Sequence, residues 1–101
     1  MPLLLNTPDV NGNNTIRIES YTVYGINESD VRISLIYGAG TTDAGVYTAK
    51  ASRKRVGFVG GNIVIKMDAA LAAGETIYGA TKKALYELLQ EKGYVGAGTV
   101  T

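Results

Sequence analysis

Tyr78 stands four residues before Lys82 in the stretch YGATKKAL, and three other groupings in the chain have residue types suited to chemistry. A spacing of four puts two helical side chains on adjacent turns of one face, so a phenol and an ammonium would share a site. The stretch GAGTTDAG, Gly38 to Gly45, has the glycine-rich character of turns whose successive backbone amides bind anions. Arg53, Lys54 and Arg55, loosely extended by Lys50, make the sole basic run, and neutralising phosphates is what such a run does. Glu87 and Glu91 are a further carboxylate pair one turn apart.

The spelling around Tyr78 and Lys82 resembles the Tyr-x-x-x-Lys motif of short-chain dehydrogenases, in which the lysine lowers the tyrosine pKa and the phenol exchanges a proton with substrate. That resemblance also implies a glycine-rich nucleotide loop opening a helix, a parallel βαβ sheet, and a serine on the strand before the tyrosine helix. Phe58 to Lys66 contains no serine, and neither Gly38-Ala39-Gly40 nor Gly60-Gly61 begins an amphipathic helix. The chain upstream of Tyr78 is too short for a doubly wound sheet. Tyr78 is therefore expected to pack at a helix flank, with the stem of a solvated Lys82 covering it.

The other groupings weaken in the same way. GAGTTDAG lacks the Lys-Ser/Thr pair that opens the helix of a P-loop, and a strand follows it, so it reads as a mobile hairpin loop. The basic run has no interleaved stacking aromatics. It reads as a charged ribbon edge that discourages aggregation or pairs with an acidic neighbour. Glu87 and Glu91 fall at an exposed helix end, without the concavity that splits carboxyl pKa values.

Composition narrows the chemistry further. The chain of 101 residues has room for one modest core, and its 46% apolar content is that of a folded protein. It has no cysteine and no histidine, which removes thiol nucleophiles, Cys/His zinc sites, disulfides and the usual general base near neutrality. Carboxylates are scattered and no D-x-D-x-D-G loop occurs, so neither metal nor cofactor is expected. A formal charge of +1 exerts no global pull on nucleic acid or an anionic membrane. No segment approaches the length of a membrane span.

Several elements must position whatever the chain does. Residues 1–14 read as an extended arm, because Pro2 and Pro8 deny regular structure and Asn11-Gly12-Asn13-Asn14 supplies turn chemistry; Leu3, Leu4 and Leu5 must then be buried, on this domain or a neighbour. Residues 15–101 form a single α+β domain. TIRIESYTVY, Thr15 to Tyr24, is a strand in which Ile16 and Ile18 change parity with Tyr21 and Val23, either through a β-bulge at Glu19-Ser20 or as a strand apolar on both faces. A turn at Gly25 to Asp30 leads into an antiparallel partner, Val31 to Tyr37. Val46 to Val59 is one long strand or a second hairpin turning near Ser52. NIVIK reads as a short strand, with a helical turn through DAALAA capped by Asp68 and stopped at Gly74.

The last element is a helix from about Glu75 to Lys92. Ile77, Thr81, Ala84 and Leu88 centre its apolar stripe, Ala80 borders one side, and Tyr78, Leu85 and Leu89 extend the other; Thr76, Gly79, Lys83, Glu87 and Gln90 take the wet face, where Lys83 and Glu87 are spaced to pair. That arc is wider than one sheet demands, which suggests a second contact surface around Tyr78, Leu85 and Leu89.

The β-ribbon, the run KRVGFVG and then AGETIYGATKKALYELLQEKGYVGAGTVT resemble the small virion structural proteins of tailed bacteriophages in general plan: a β-rich body, a glycine-bearing excursion, one late helix and a short glycine-rich tail. The resemblance implies a non-enzymatic subunit of a tail, baseplate, neck or capsid-surface complex. Its partners would be copies of itself and other proteins of the particle, with no small-molecule substrate and no membrane, and nucleic acid is not expected among them. It carries over no functional residues. From the residues themselves, the expected fold is an antiparallel sheet packed against one long C-terminal helix, with an extended N-terminal arm. The expected contact residues are Leu3, Leu4, Leu5, Arg53, Arg55, Tyr78, Leu85 and Leu89. The rival reading is a small nucleic-acid-binding regulator that uses the Arg53-Lys54-Arg55 run.

Overall fold

A computed structural model describes residues 2–25, 31–50, 53–60 and 62–101. Along the chain lie β1 (Leu3–Leu5), β2 (Thr15–Gly25), β3 (Val31–Asp43), β4 (Val46–Ala49), β5 (Lys54–Val59), α1 (Ile63–Ala72), α2 (Ile77–Glu91) and β6 (Gly98–Val100). The class is α+β: an antiparallel six-stranded sheet in the order β4-β3-β2-β1-β6, with β5 also on β3, packed against two helices. Among the described residues no helix is long and apolar enough to cross a membrane.

β2 and β3 form the expected hairpin, although its connection at 26–30 lies outside the described residues. The β-bulge is present. Ile18 faces Tyr37 and Ser20 faces Ile36, which leaves Glu19 without a partner. The extra residue inverts the alternation, so Ile16, Ile18, Tyr21 and Val23 all face the helices together with Ile33, Leu35 and Tyr37.

GAGTTDAG is not a loop. β3 continues to Asp43, and the turn is only Ala44-Gly45, at φ 51° and 80°, the left-handed pair that a two-residue hairpin requires. Asn14 explains the extension, because its side-chain oxygen accepts from the Thr42 N–H at 2.9 Å and its amide donates to the Thr42 carbonyl at 3.3 Å, prolonging the ladder with a side chain. At Gly40 a Cβ would collide with the Thr48 carbonyl and crowd the Tyr47 ring. β4 and β5 are two pieces of one interrupted edge strand, since both pair with β3 and the register slips by two residues between them. The proposed turn at Ser52 lies outside the described residues.

The N-terminal arm is a correction. β1 sits inside the sheet, pairing Leu3 with Ile16 of β2 on one side and with Val100 of β6 on the other. Leu3 is fully buried as a result. The arm docks on its own domain because Gly98–Val100 supplies a second strand that the glycine-rich tail did not advertise.

NIVIK is also a correction. Ile63, Val64, Met67 and Ala70 recur at helical spacing and turn inward on α1, while Ile65 is 72% exposed; a short apolar run fits either period until its neighbours decide. α1 ends, as expected, where Gly74 takes φ 96°. It precedes α2, so there is no single long helix. α2 begins after Thr76, whose hydroxyl accepts from the Gly79 N–H at 3.0 Å. It ends in a Schellman motif, with Gly93 at φ 79° and the Tyr94 N–H bonded to the Leu89 carbonyl at 3.0 Å. Its buried face holds Ala80, Thr81, Ala84, Leu85, Tyr86, Leu88 and Leu89. Ile77, expected at the centre of the stripe, is 74% exposed, and Gly79, expected on the wet face, is buried instead.

Candidate functional site

The Tyr78/Lys82 pair is built into the sheet. Lys82 Nζ donates to the Ile18 carbonyl at 2.9 Å and lies 5.9 Å from the Tyr21 ring centroid and 5.5 Å from that of Tyr78. One turn further along α2, the Tyr86 hydroxyl accepts from the Ile18 N–H at 3.0 Å. The two side chains therefore occupy both backbone polar groups of Ile18, next to the bulge, where no described strand lies beside β2 on the side away from β3. Lys82 is a tether more than a solvated cation, and Tyr78 is 63% exposed beside it. Tyr86 is a residue that the apolar stripe omitted; its spacing of four from Lys82 was the available signal. Burial pushes its phenol above the ordinary tyrosine range, while the Ile18 hydrogen bond pulls the other way.

The expected contact residues separate into two groups. Leu3, Leu85 and Leu89 are at 0% exposure inside the chain's own core, where they serve packing. Leu5 is half-buried, and Leu4, Arg53, Arg55 and Tyr78 are exposed. The basic run is divided by strand alternation: Arg55 shares a face with Ile36, whereas Lys54 shares the opposite face with Tyr37. Arg53 forms an ion pair with Glu19 of the bulge.

The sheet face turned away from the helices gathers residues that are far apart in sequence. Arg32, Ser34, Ile36, Gly38 and Gly40 of β3 point there, flanked by Tyr24, Thr22 and Ser20 of β2 and by Val59, Gly57 and Arg55 of β5. Arg17 lies over the Tyr47 ring, 4.8 Å from its centroid, above the bare backbone of Gly38 and Gly40. All four arginines of the chain, Arg17, Arg32, Arg53 and Arg55, are thus on this face. Glu19 is the carboxylate that the described part of it carries.

On the helix side, a cleft of about 380 Å³ lies between the Asp9–Asn13 turn, β5 and the segment after α2. Leu5, Ile16, Ala39 and Val95 give it apolar walls, and Asp9, Lys54, Tyr37 and Tyr94 its polar groups. The Asn13 N–H holds the Asp9 carboxyl below its usual range, with help from the Asn11 N–H and the Asn13 side chain, each within 3.3 Å. Burial raises Tyr37, whose hydroxyl reaches toward the Tyr94 carbonyl at 3.5 Å. These groups serve the turn and the wall, and no nucleophile stands within hydrogen-bond reach of a base among them.

Among the described residues no three His, Cys, Asp or Glu side chains gather to hold a metal. Glu87 and Glu91 join α2 to α1 by accepting from Lys66 Nζ, at 3.4 Å and 2.6 Å. Glu87 was expected to pair with Lys83. The Glu91 hydrogen bond raises the Lys66 pKa above its ordinary value. Comparison with protein families, curated proteins and solved structures finds no match for this chain.

Proposed function

We infer that this protein is a non-enzymatic structural subunit of a multi-subunit assembly, and its resemblance in plan to small tailed-bacteriophage virion proteins makes a virion component the preferred setting. The observation that carries the reading is the open stretch of β2. β1 pairs with β2 only at Thr15 and Ile16, so on the side away from β3 no described strand lies beside Ser20–Gly25. Val23 is 38% exposed there, and Tyr78, linked to this strand through Lys82, is 63% exposed.

Unpaired strand edges beside apolar side chains are where a neighbouring chain adds a strand. The mechanism is strand pairing and apolar burial between subunits, oriented at the rim by charges such as Arg53 and Arg55. The partners are copies of this chain and other proteins of the same particle. Synthesis in a host cytoplasm followed by residence in the virion fits this reading.

Sedimentation equilibrium tests it. Mass is expected to rise with concentration, and Val23→Lys and Tyr78→Asp are expected to lower it while leaving the circular dichroism spectrum intact. A monomer at every concentration up to the solubility limit overturns the reading.

A further inference from the structure

The open face of the sheet has a second property, independent of the β2 edge. Among the described residues this face bears four arginines against one carboxylate, Glu19. The cations assigned to it are all guanidinium groups. Lys66, Lys82, Lys83 and Lys92 belong to the helices or the turn after α2, and Lys54 faces the helix-side cleft. Guanidinium is the cation that meets phosphate through a planar fork and stacks on flat rings.

The surface between the arginines is low. Two adjoining depressions share Ser34: one of about 460 Å³ among Tyr24, Arg32, Gly57 and Val59, and one of about 130 Å³ among Ser20, Thr22, Ile36 and Arg55. Glycine and serine supply their floor, while Tyr24, at 54% exposure, stands at one end and the stacked Arg17/Tyr47 pair at the other. Flat rings over a shallow sheet, with cations between them, suit unpaired bases and their phosphates. A carboxylate-rich protein would use the charge but not the rings. A duplex would present paired bases that Tyr24 cannot stack on.

We propose that this face binds single-stranded nucleic acid without sequence preference, by stacking on Tyr24 and by phosphate contacts to Arg55 and to Arg17, which the Tyr47 ring supports. From the Arg32 row to the Arg17 row the face spans six residues of β3, about 20 Å at ~3.3 Å per residue. That is room for roughly four nucleotides, the lower end of what such sheet sites cover. Arg53 is held by Glu19, so Glu19 acts as an internal competitor for phosphate.

Fluorescence anisotropy with labelled oligo-dT and oligo-U, titrated with salt, tests this. Both probes bind at low salt, since neither stacking nor phosphate contact requires a 2′-hydroxyl. Arg17→Gln and Arg55→Gln each lower the slope of log K against log salt by roughly 0.7. Tyr24→Ser weakens binding roughly five- to hundredfold and leaves the slope unchanged. Glu19→Gln strengthens binding, the opposite sign. Val23→Lys, on the β2 edge, keeps full affinity, which separates this site from self-association. Absence of binding at low salt, or a slope indifferent to both arginine changes, overturns the proposal. So does equal competition by polyglutamate with no effect of Tyr24→Ser, the pattern of a face made for an acidic protein.

Discussion

Replacing Tyr86 with phenylalanine removes one oxygen and leaves the ring. Tyr86 is 1% exposed, and its hydroxyl accepts the Ile18 N–H at 3.0 Å, so the variant strands a backbone donor where water has little access. A net hydrogen bond contributes ~1 kcal/mol, and a buried unsatisfied group costs ~1–3 kcal/mol, so the loss is set by the stranded donor at about 1–3 kcal/mol. For a domain of this size that is a fall in Tm of roughly 5–15 °C. Urea denaturation reads it as a lower midpoint with unchanged m. Tyr78→Phe is the matched control, and because Tyr78 is 63% exposed it is expected within ~0.5 kcal/mol of the parent. Lys82→Met removes the donor to the same residue's carbonyl, and the double variant reports whether the two α2 side chains act as a unit, through a coupling above ~0.5 kcal/mol. A Tyr86→Phe protein as stable as the parent would refute the idea that α2 closes the β2 edge through Ile18.

Other perturbations read other parts of the fold. Leu3→Ala is expected to cost about 2–5 kcal/mol by chemical denaturation, the range for a buried core leucine; a free arm would cost almost nothing. Gly40→Ala places a Cβ against the Thr48 carbonyl and is expected to destabilise by about 1–3 kcal/mol, with faster amide exchange in β4. Tyr86, Tyr37 and Lys66 all have raised pKa values in the fold. The unfolded chain therefore releases these protons first, and stability that is intact below about pH 10 declines as pH rises through the folded values. Asp9 has the opposite sign: its depressed pKa confers stability above the ordinary aspartate value that is lost as pH falls through the folded one, followed by acid titration of circular dichroism.

Local features of the fold were legible in the sequence. The parity change across Glu19-Ser20 offered the bulge as one of two readings, and the helix expected from about Glu75 to Lys92 is α2 to within two residues, because periodicity and alternation act over a few residues. Sites made by register were not legible. Arg17, Arg32, Arg53 and Arg55 become neighbours only when β2, β3 and β5 are aligned, and the same alignment brings them the tyrosines that the basic run lacked. Tyr86 escaped the stripe because its partner is a backbone group on a strand 68 residues away. Leu3 asked for burial, but its partner Val100 lies at the far end of the chain.

That last pairing bears on the order in which the sheet assembles. β1 has two flanks, and the one facing β2 can zip as soon as Thr15 and Ile16 exist. The other must wait for Gly98–Val100, so during synthesis Leu3–Leu5 remains the bare rim of an unfinished sheet. Closing such a long loop also adds to the mean sequence separation of contacts, a feature of slow folders. A chain stalled before β6 would carry this sticky rim until β6 emerges, and its misassembly is expected to run through β1.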